Sequence, residues 1–194
     1  MKISTWNVNS VNARIEHLET LIKKDQSDIY LLQELKTIED GFPKEIIEKM
    51  GYNSYVKGQK AWNGVAMLSK KQLYITNTSI PKYDDPNARF IEAEIQLKKI
   101  KKKIKLINIY LPNGNPIETE KFNYKIEWMK KLNIYIQNLK YSYFFPLSQG
   151  VLGTDFGFFF AHPGSGNHLI DEYLLYVSKM FPPFSARGSL VLFK

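Results

Sequence analysis

Ile29-Tyr-Leu-Leu32 is an apolar run without polar alternation, and it leads straight into Gln33 and Glu34. A run of that length and uniformity fits a short strand covered on both faces. A strand of that kind ending in a carboxylate holds the acid rigidly at the rim of a sheet, where hard, oxygen-seeking cations such as Mg²⁺ are bound. Glu34 is therefore a candidate metal ligand. Taken alone, it reads first as a solvated charge at a strand end, so its neighbours along the chain have to decide.

The 194 residues and 44% hydrophobic content are enough to bury one core. The absence of cysteine excludes disulfides, thiolate metal sites and cysteine nucleophiles, and fits a reducing, cytoplasmic setting. Met1 leads directly into a strand-like pattern with no signal-peptide core, and no apolar run reaches membrane-spanning length. The formal charge of +8 favours a polyanionic partner. That excess lies wholly before residue 141. From Tyr141 to Ser178 there is no Lys or Arg, and aromatic residues become dense.

Lys2 to Val8 reads as a first strand closing on a polar turn, Trp6-Asn-Val-Asn-Ser10. Asn9 or Ser10 can cap the following helix, whose Ile15, Leu18, Leu21 and Ile22 recur at helical spacing. With the strand at 28–33 this makes a β-α-β unit, the arrangement a parallel pair requires. Pro43 and Gly51 frame a short helix around Ile46, Ile47 and Met50. Residues 52–56, 64–68, 73–78, 90–97 and 104–110 are short β-rich runs between turn residues, which predicts neighbouring antiparallel strands. Residues 118–139 return to helix, with Phe122, Ile126, Met129, Leu132 and Ile136 as its expected apolar stripe. The run Lys98-Lys-Ile-Lys-Lys-Lys-Ile-Lys105 reads as a solvated hairpin tip that adds salt-sensitive, non-specific attraction for a polyanion.

Five motifs occur in order: Trp6-Asn-Val-Asn-Ser10, Leu32-Gln-Glu-Leu-Lys36, Asn63-Gly-Val-Ala-Met-Leu-Ser-Lys70, Arg89-Phe-Ile-Glu-Ala-Glu94 and Asn108-Ile-Tyr-Leu-Pro-Asn-Gly114. Their order and spacing over residues 1–140 resemble the exonuclease III and AP endonuclease branch of the endonuclease–exonuclease–phosphatase superfamily. The resemblance implies an α/β (α+β) fold, the N-terminal part of a four-layered α/β sandwich. It also implies Mg²⁺- or Mn²⁺-dependent cleavage of phosphodiesters in double-stranded DNA and abasic-site DNA. By the same resemblance, Glu34 and Asn9 are metal-side residues, Asn7 and Tyr110 are catalytic, and Asn113 and Arg89 contact DNA phosphate. The residue types suit that chemistry. A cation neutralises non-bridging oxygens, and carboxamides and a phenol donate hydrogen bonds without adding negative charge. On local sequence alone Asn7 and Asn9 also read as turn and cap residues, Tyr110 as a strand-end aromatic and Arg89 as a surface charge.

The pattern departs from the family after residue 140. The family's Gly-Asp-x-Asn and Ser-Asp-His motifs have no full counterpart. Gly153-Thr-Asp-Phe-Gly157 is the nearest, making Asp155 a weak catalytic candidate, and neither His162 nor His168 lies in a Ser-Asp-His context. The expected organisation is residues 1–140 as the N-terminal half of a nuclease-like domain, and 141–194 as an aromatic-rich tail from a truncated, frame-shifted or spliced reading frame. A second chain completing the fold is then an expected partner. The function implied is a DNA-repair nuclease, the alternative a non-catalytic remnant with weak or no nucleic-acid binding.

Overall fold

A computed structural model describes residues 1–97 and 102–139 and, beyond them, the strands at 144–146, 158–160, 172–178 and 188–191. In chain order the strands are β1 (Lys2–Asn7), β2 (Ile29–Gln33), β3 (Asn53–Lys57), β4 (Val65–Ser69), β5 (Tyr74–Asn77), β6 (Phe90–Leu97), β7 (Lys102–Tyr110), β8 (Phe144–Pro146), β9 (Phe158–Phe160), β10 (Glu172–Ser178) and β11 (Gly188–Val191). The helices are α1 (Ile15–Asp25), α2 (Lys44–Lys49) and α3 (Glu120–Asn138). One sheet has the order β11-β1-β2-β4-β3, a second β10-β7-β6-β5, and β8 pairs with β9. β1 and β2 are parallel, joined through α1 as the β-α-β reading expects, while β2, β4 and β3 pair antiparallel. Residues 172–178 lie parallel to β7, and residues 188–191 antiparallel to β1.

The two sheets face one another across a core of Ile3, Leu31, Met67, Ile91, Ala93 and Leu106. The outer face of the first sheet is covered by α1 and α2, through Leu18, Ile22 and Ile47 against Tyr30, Leu32 and Leu68. The outer face of the second is covered by α3, through Trp128 and Leu132 against Phe90, Ile107 and Ile109. This gives four layers in the order helix, sheet, sheet, helix. β2 shows why the apolar run is necessary: Ile29 and Leu31 enter the inter-sheet core, and Tyr30 and Leu32 enter the helix side. Each side chain so buried contributes about 1.5–3 kcal/mol of apolar transfer.

Three local expectations are corrected. Neither Asn9 nor Ser10 caps α1, which starts after a 3₁₀ turn at Asn12–Arg14 with no side-chain cap. Both residues have positive φ, 45° and 82°, and their amides are spent elsewhere, on Asn7 and Glu34. α3 buries its expected stripe only in part: Leu132 is buried and Ile136 packs beside it, but Met129 is not covered. Met129 is 41% exposed, whereas Trp128 is fully buried with Leu132, and Tyr124, Tyr135 and Leu139 pack beside them. The helix turns its aromatic face inward, where Trp128 finds a polar partner in Asp85 on the loop before β6 and Tyr135 one in Glu92 on β6. Lys105 is not part of a solvated tip. Its ammonium lies 3.0 Å from the fully buried carboxylate of Glu92, on the neighbouring strand. Residues 98–101 of the lysine run lie outside the described residues.

Candidate metal and phosphate site

Strand alternation fixes what reaches the rim between the sheets. On β1 the inner face runs Ile3, Thr5, Asn7; on β2, Ile29, Leu31, Gln33; on β7, Ile104, Leu106, Asn108, Tyr110. Each series begins apolar and ends polar, so the dry core gives way to a polar layer at one edge. Gln33 and Asn108 form the floor of that layer. The Gln33 amide donates to Asn108 Oδ1 at 2.7 Å, and Asn108 Nδ2 donates to the carbonyls of Leu32 and Ala66 at 2.9 Å each. Asn108 thus joins the second sheet to the backbone of the first from a fully buried position.

Above the floor the turns leaving β1 and β2 interlock. Val8 N–H donates to Gln33 O, Ser10 N–H to Glu34 O and Val11 N–H to Leu35 O. The turn after β2 is held in its turn by the loop before β4: Leu35 N–H donates to Gly64 O, and Lys36 N–H to Asn63 O. Asn9, Ser10, Glu34, Lys36 and Asn63 all have φ between 45° and 82°. L-residues enter this region at a cost, and such concentrations mark sites where surrounding structure over-determines the backbone. Gly64, at φ +90°, is the position that admits no side chain, since a Cβ there would meet Leu35 Cβ at 2.8 Å.

This scaffold brings Asn7, Asn9 and Glu34 to the same rim. Asn7 Oδ1 accepts from Asn9 N–H at 3.1 Å, and Asn7 Nδ2 is buried with no partner among the described residues. Lys36 Nζ bridges Asn9 Oδ1 at 2.5 Å and Glu34 Oε1 at 3.3 Å, so those two oxygens share one ammonium. Glu34 Oε2 is buried without a partner among the described residues. An unpaired buried carboxylate oxygen beside a carboxamide oxygen fits a hard cation that keeps part of its water shell. The described residues hold no cluster of three or more His, Cys, Asp or Glu. The donor set is therefore one carboxylate supplemented by amides, which suits Mg²⁺ or Mn²⁺ better than a thiolate- or imidazole-seeking metal.

Tyr110 and Arg89 form the other wall. The Arg89 guanidinium lies over the Tyr110 ring, 5.0 Å from its centroid, and donates through Nη1 to Tyr110 O at 3.2 Å. Arg89 Nε is buried with no partner among the described residues. Burial pushes the Tyr110 phenol up to about 12, the charge of Glu34 adds to this, and Arg89 opposes it. The hydroxyl is thus a proton donor at neutral pH. Asn113 is exposed on the loop after β7, where its side chain accepts from Asn115 N–H at 3.2 Å. Asp155, His162 and His168 lie outside the described residues, and His17 is exposed on α1.

Sequence reasoning passed over three participants. Lys36 is two residues from Glu34, and only the tight turn folds its ammonium back onto the carboxylate. Trp62 is 68% exposed on the loop before β4, with the Lys36 ammonium 5.8 Å from its ring. A bulky aromatic between Lys60 and Asn63 in a turn-rich loop was the available signal. Asn108 was quoted within a motif, yet its inter-sheet role depends on partners from other strands.

Comparison with known proteins gives a consistent picture. The family model for the Endonuclease/Exonuclease/phosphatase family matches residues 4–168, further along the chain than the five motifs reach. Exodeoxyribonuclease III of Haemophilus influenzae is 34% identical over 139 residues, covering 71% of this chain and 51% of that protein. A 3′ phosphatase of Neisseria, solved with a product DNA hairpin, superposes with a TM-score of 0.66 at 36% identity, over 71% of this chain and 52% of that one. An AP endonuclease of Archaeoglobus fulgidus gives a TM-score of 0.65 at 31% identity, over 72% and 52%. The chain spans about half the length of these relatives. On the match across most of its length, the chain belongs to the endonuclease/exonuclease/phosphatase family, with exodeoxyribonuclease III and AP endonucleases among its homologues.

Proposed function

We propose that this chain carries the metal- and phosphate-binding part of a DNA-repair nuclease centre, of the exodeoxyribonuclease III and abasic-site endonuclease type. The observation that carries this is the meeting of two unpaired groups of opposite character at one rim: Glu34 Oε2, an acceptor, and Asn7 Nδ2, a donor. Glu34, with Asn9 beside it, would hold Mg²⁺ or Mn²⁺. A divalent cation supplies neutralisation of the non-bridging phosphate oxygens. Asn7 donates to a phosphate oxygen and Tyr110 does so through its protonated hydroxyl. Arg89 offsets the remaining charge, and Asn113 meets the neighbouring phosphate. Trp62, exposed beside Lys36, faces the same DNA.

For residues 1–194 taken alone, the expectation is binding without efficient cleavage. The sequence after residue 140 contains neither Gly-Asp-x-Asn nor Ser-Asp-His. Positioned acid–base groups contribute roughly 10²–10⁴-fold and each electrostatic stabiliser about 10²–10³-fold. That observation favours the second reading, a non-catalytic remnant, for this polypeptide's own activity. Incision of an abasic-site duplex with Mg²⁺ separates the two. Cleavage at background, with duplex binding that quenches Trp62 fluorescence and weakens as salt rises, is the expected result. Robust incision abolished by Glu34→Ala would give the tail a working catalytic group, with Asp155, His162 and His168 the first to replace. No duplex binding at low salt would remove the nuclease reading of the site.

A further inference from the structure

Arg89 is held from two sides. One face of its guanidinium meets Tyr110, and Tyr124 of α3 lies 5.9 Å away on its ring centroid. Tyr124 is itself anchored. Its hydroxyl donates to the Asp85 carboxylate at 2.9 and 3.1 Å and accepts from Asn87 Nδ2 at 3.1 Å. Asp85 also accepts from the buried indole of Trp128 at 2.8 Å and from Asn87 N–H at 3.0 Å. The network continues through Asn87 Oδ1, which accepts from Asn63 Nδ2 at 3.1 Å and Gln59 Nε2 at 3.3 Å. Asn63 is the residue whose carbonyl fixes Lys36 N–H. α3 is thereby connected, through one carboxylate and one carboxamide, to both walls of the site. A surface arginine needs none of this. Two aromatic faces, an immobilised carboxylate and a buried Nε without a partner describe a cation whose direction is fixed in advance.

We infer that Tyr124, anchored by Asp85, is a positioning residue that orients Arg89 toward an anionic oxygen of the bound phosphodiester. This rests on the phosphate reading of the site given above. Ordering the guanidinium before binding removes the entropy that a free arginine side chain would lose on contact. Tyr124 touches neither metal nor substrate in this role; it acts through Arg89.

The test uses the full chain labelled with ¹⁵N, in which Arg14, Arg89 and Arg187 are the arginines and Arg89→Lys assigns the Nε–H signal. In the wild type, that signal is expected to be displaced by the two rings and slow to exchange with water. Tyr124→Leu should remove one ring's share of that displacement, speed Nε–H exchange and lower duplex affinity about tenfold, the size of one desolvated cation–π contact. The Trp128 indole signal reports that α3 remains docked. Tyr124→Phe keeps the ring but loses the tether to Asp85, and should speed Nε–H exchange about tenfold even if the leucine variant fails to fold. An Arg89 signal with the same shift and exchange rate in the phenylalanine variant as in the wild type overturns the inference. So does unchanged duplex affinity in a folded Tyr124→Leu. A duplex that leaves the wild-type Arg89 signal unmoved instead sinks the phosphate reading, with the tyrosine dependence of Nε–H exchange in the free protein still judging the clamp.

Discussion

At the scale of single residues, Glu34 concentrates the conflict between stability and use. It is 8% exposed, sits at φ +62°, and leaves one carboxylate oxygen buried and unpaired. A left-handed backbone costs an L-residue about 1–2 kcal/mol, and an unpaired buried oxygen adds to that. Glu34→Gln keeps the shape and removes the charge, so Mg²⁺ or Mn²⁺ affinity measured by calorimetry should fall at least about tenfold. Glu34→Gly relieves both costs, so it should abolish metal binding without lowering the free energy of urea unfolding. A glycine variant much less stable than the wild type would show that the carboxylate holds the turn together rather than serving a ligand. Tyr110 gives a second residue-level expectation, with a sign. Its folded-state value of about 12 exceeds that of a free tyrosine, about 10. Above pH 10 the unfolded chain loses its proton first, so the stability Tyr110 contributes is complete below that pH and drains away as pH rises toward 12. Tyr110→Phe should flatten the alkaline limb of the stability curve and remove a late component from phenolate absorbance; an unchanged limb counts against the burial of its hydroxyl.

At the scale of elements, what was readable in the sequence is what depends on neighbours in the chain. β2 announced itself because a strand covered on both faces is apolar through residues 29–32, and β6 falls on its expected residues because turn residues precede it and a lysine run follows it. α3 was found as a helix, and Leu132 and Ile136 of its expected face are covered, but the rest of that face was misjudged. Apolarity alone favours Met129 over Tyr124 and Tyr135, whereas the fold selects aromatics whose polar tips meet Asp85 and Glu92. The candidate site was legible only as motifs. That Asn7, Glu34 and Tyr110 meet at one rim follows from sheet order and face parity, which no local window contains. Asn108 belongs to the same class, as a polar residue in an apolar strand whose reason lies in another sheet. Replacing it with Leu leaves Leu32 O, Ala66 O and the Gln33 amide each short of a bond in a buried layer. At roughly 1–3 kcal/mol for each unsatisfied group, the loss should be at least about 2 kcal/mol in urea unfolding. Near-neutral behaviour would mean that the two sheets are joined by apolar contact alone.

At the scale of the whole molecule, the open matter is how residues 141–194 relate to the four layers. Two features pull in different directions. The composition changes abruptly after Lys140, losing basic residues and gaining aromatics, which is the mark of a segment foreign to the preceding fold. Yet β10 lies along β7, and β11 along β1, each extending one of the two sheets. Our proposal follows the first feature: residues 1–140 form the stable unit, and the tail adds little to it. Among the described side chains, the α1, α2 and α3 layers and the inter-sheet core are built from residues before 140. Limited proteolysis distinguishes the alternatives because the sequence gives two enzymes different access. Trypsin meets no site between Tyr141 and Ser178, whereas chymotrypsin meets Tyr141, Tyr143 and Phe144 in close succession. Under native conditions chymotrypsin should cut first there and leave a resistant fragment ending near residue 141. The fragment should keep the far-ultraviolet dichroism of the intact chain's helices and the protected indole signal of Trp128. Resistance of the full-length chain to both enzymes, at ratios that degrade an unfolded control, would instead make β10 and β11 working edges of the two sheets and end the case for a foreign tail.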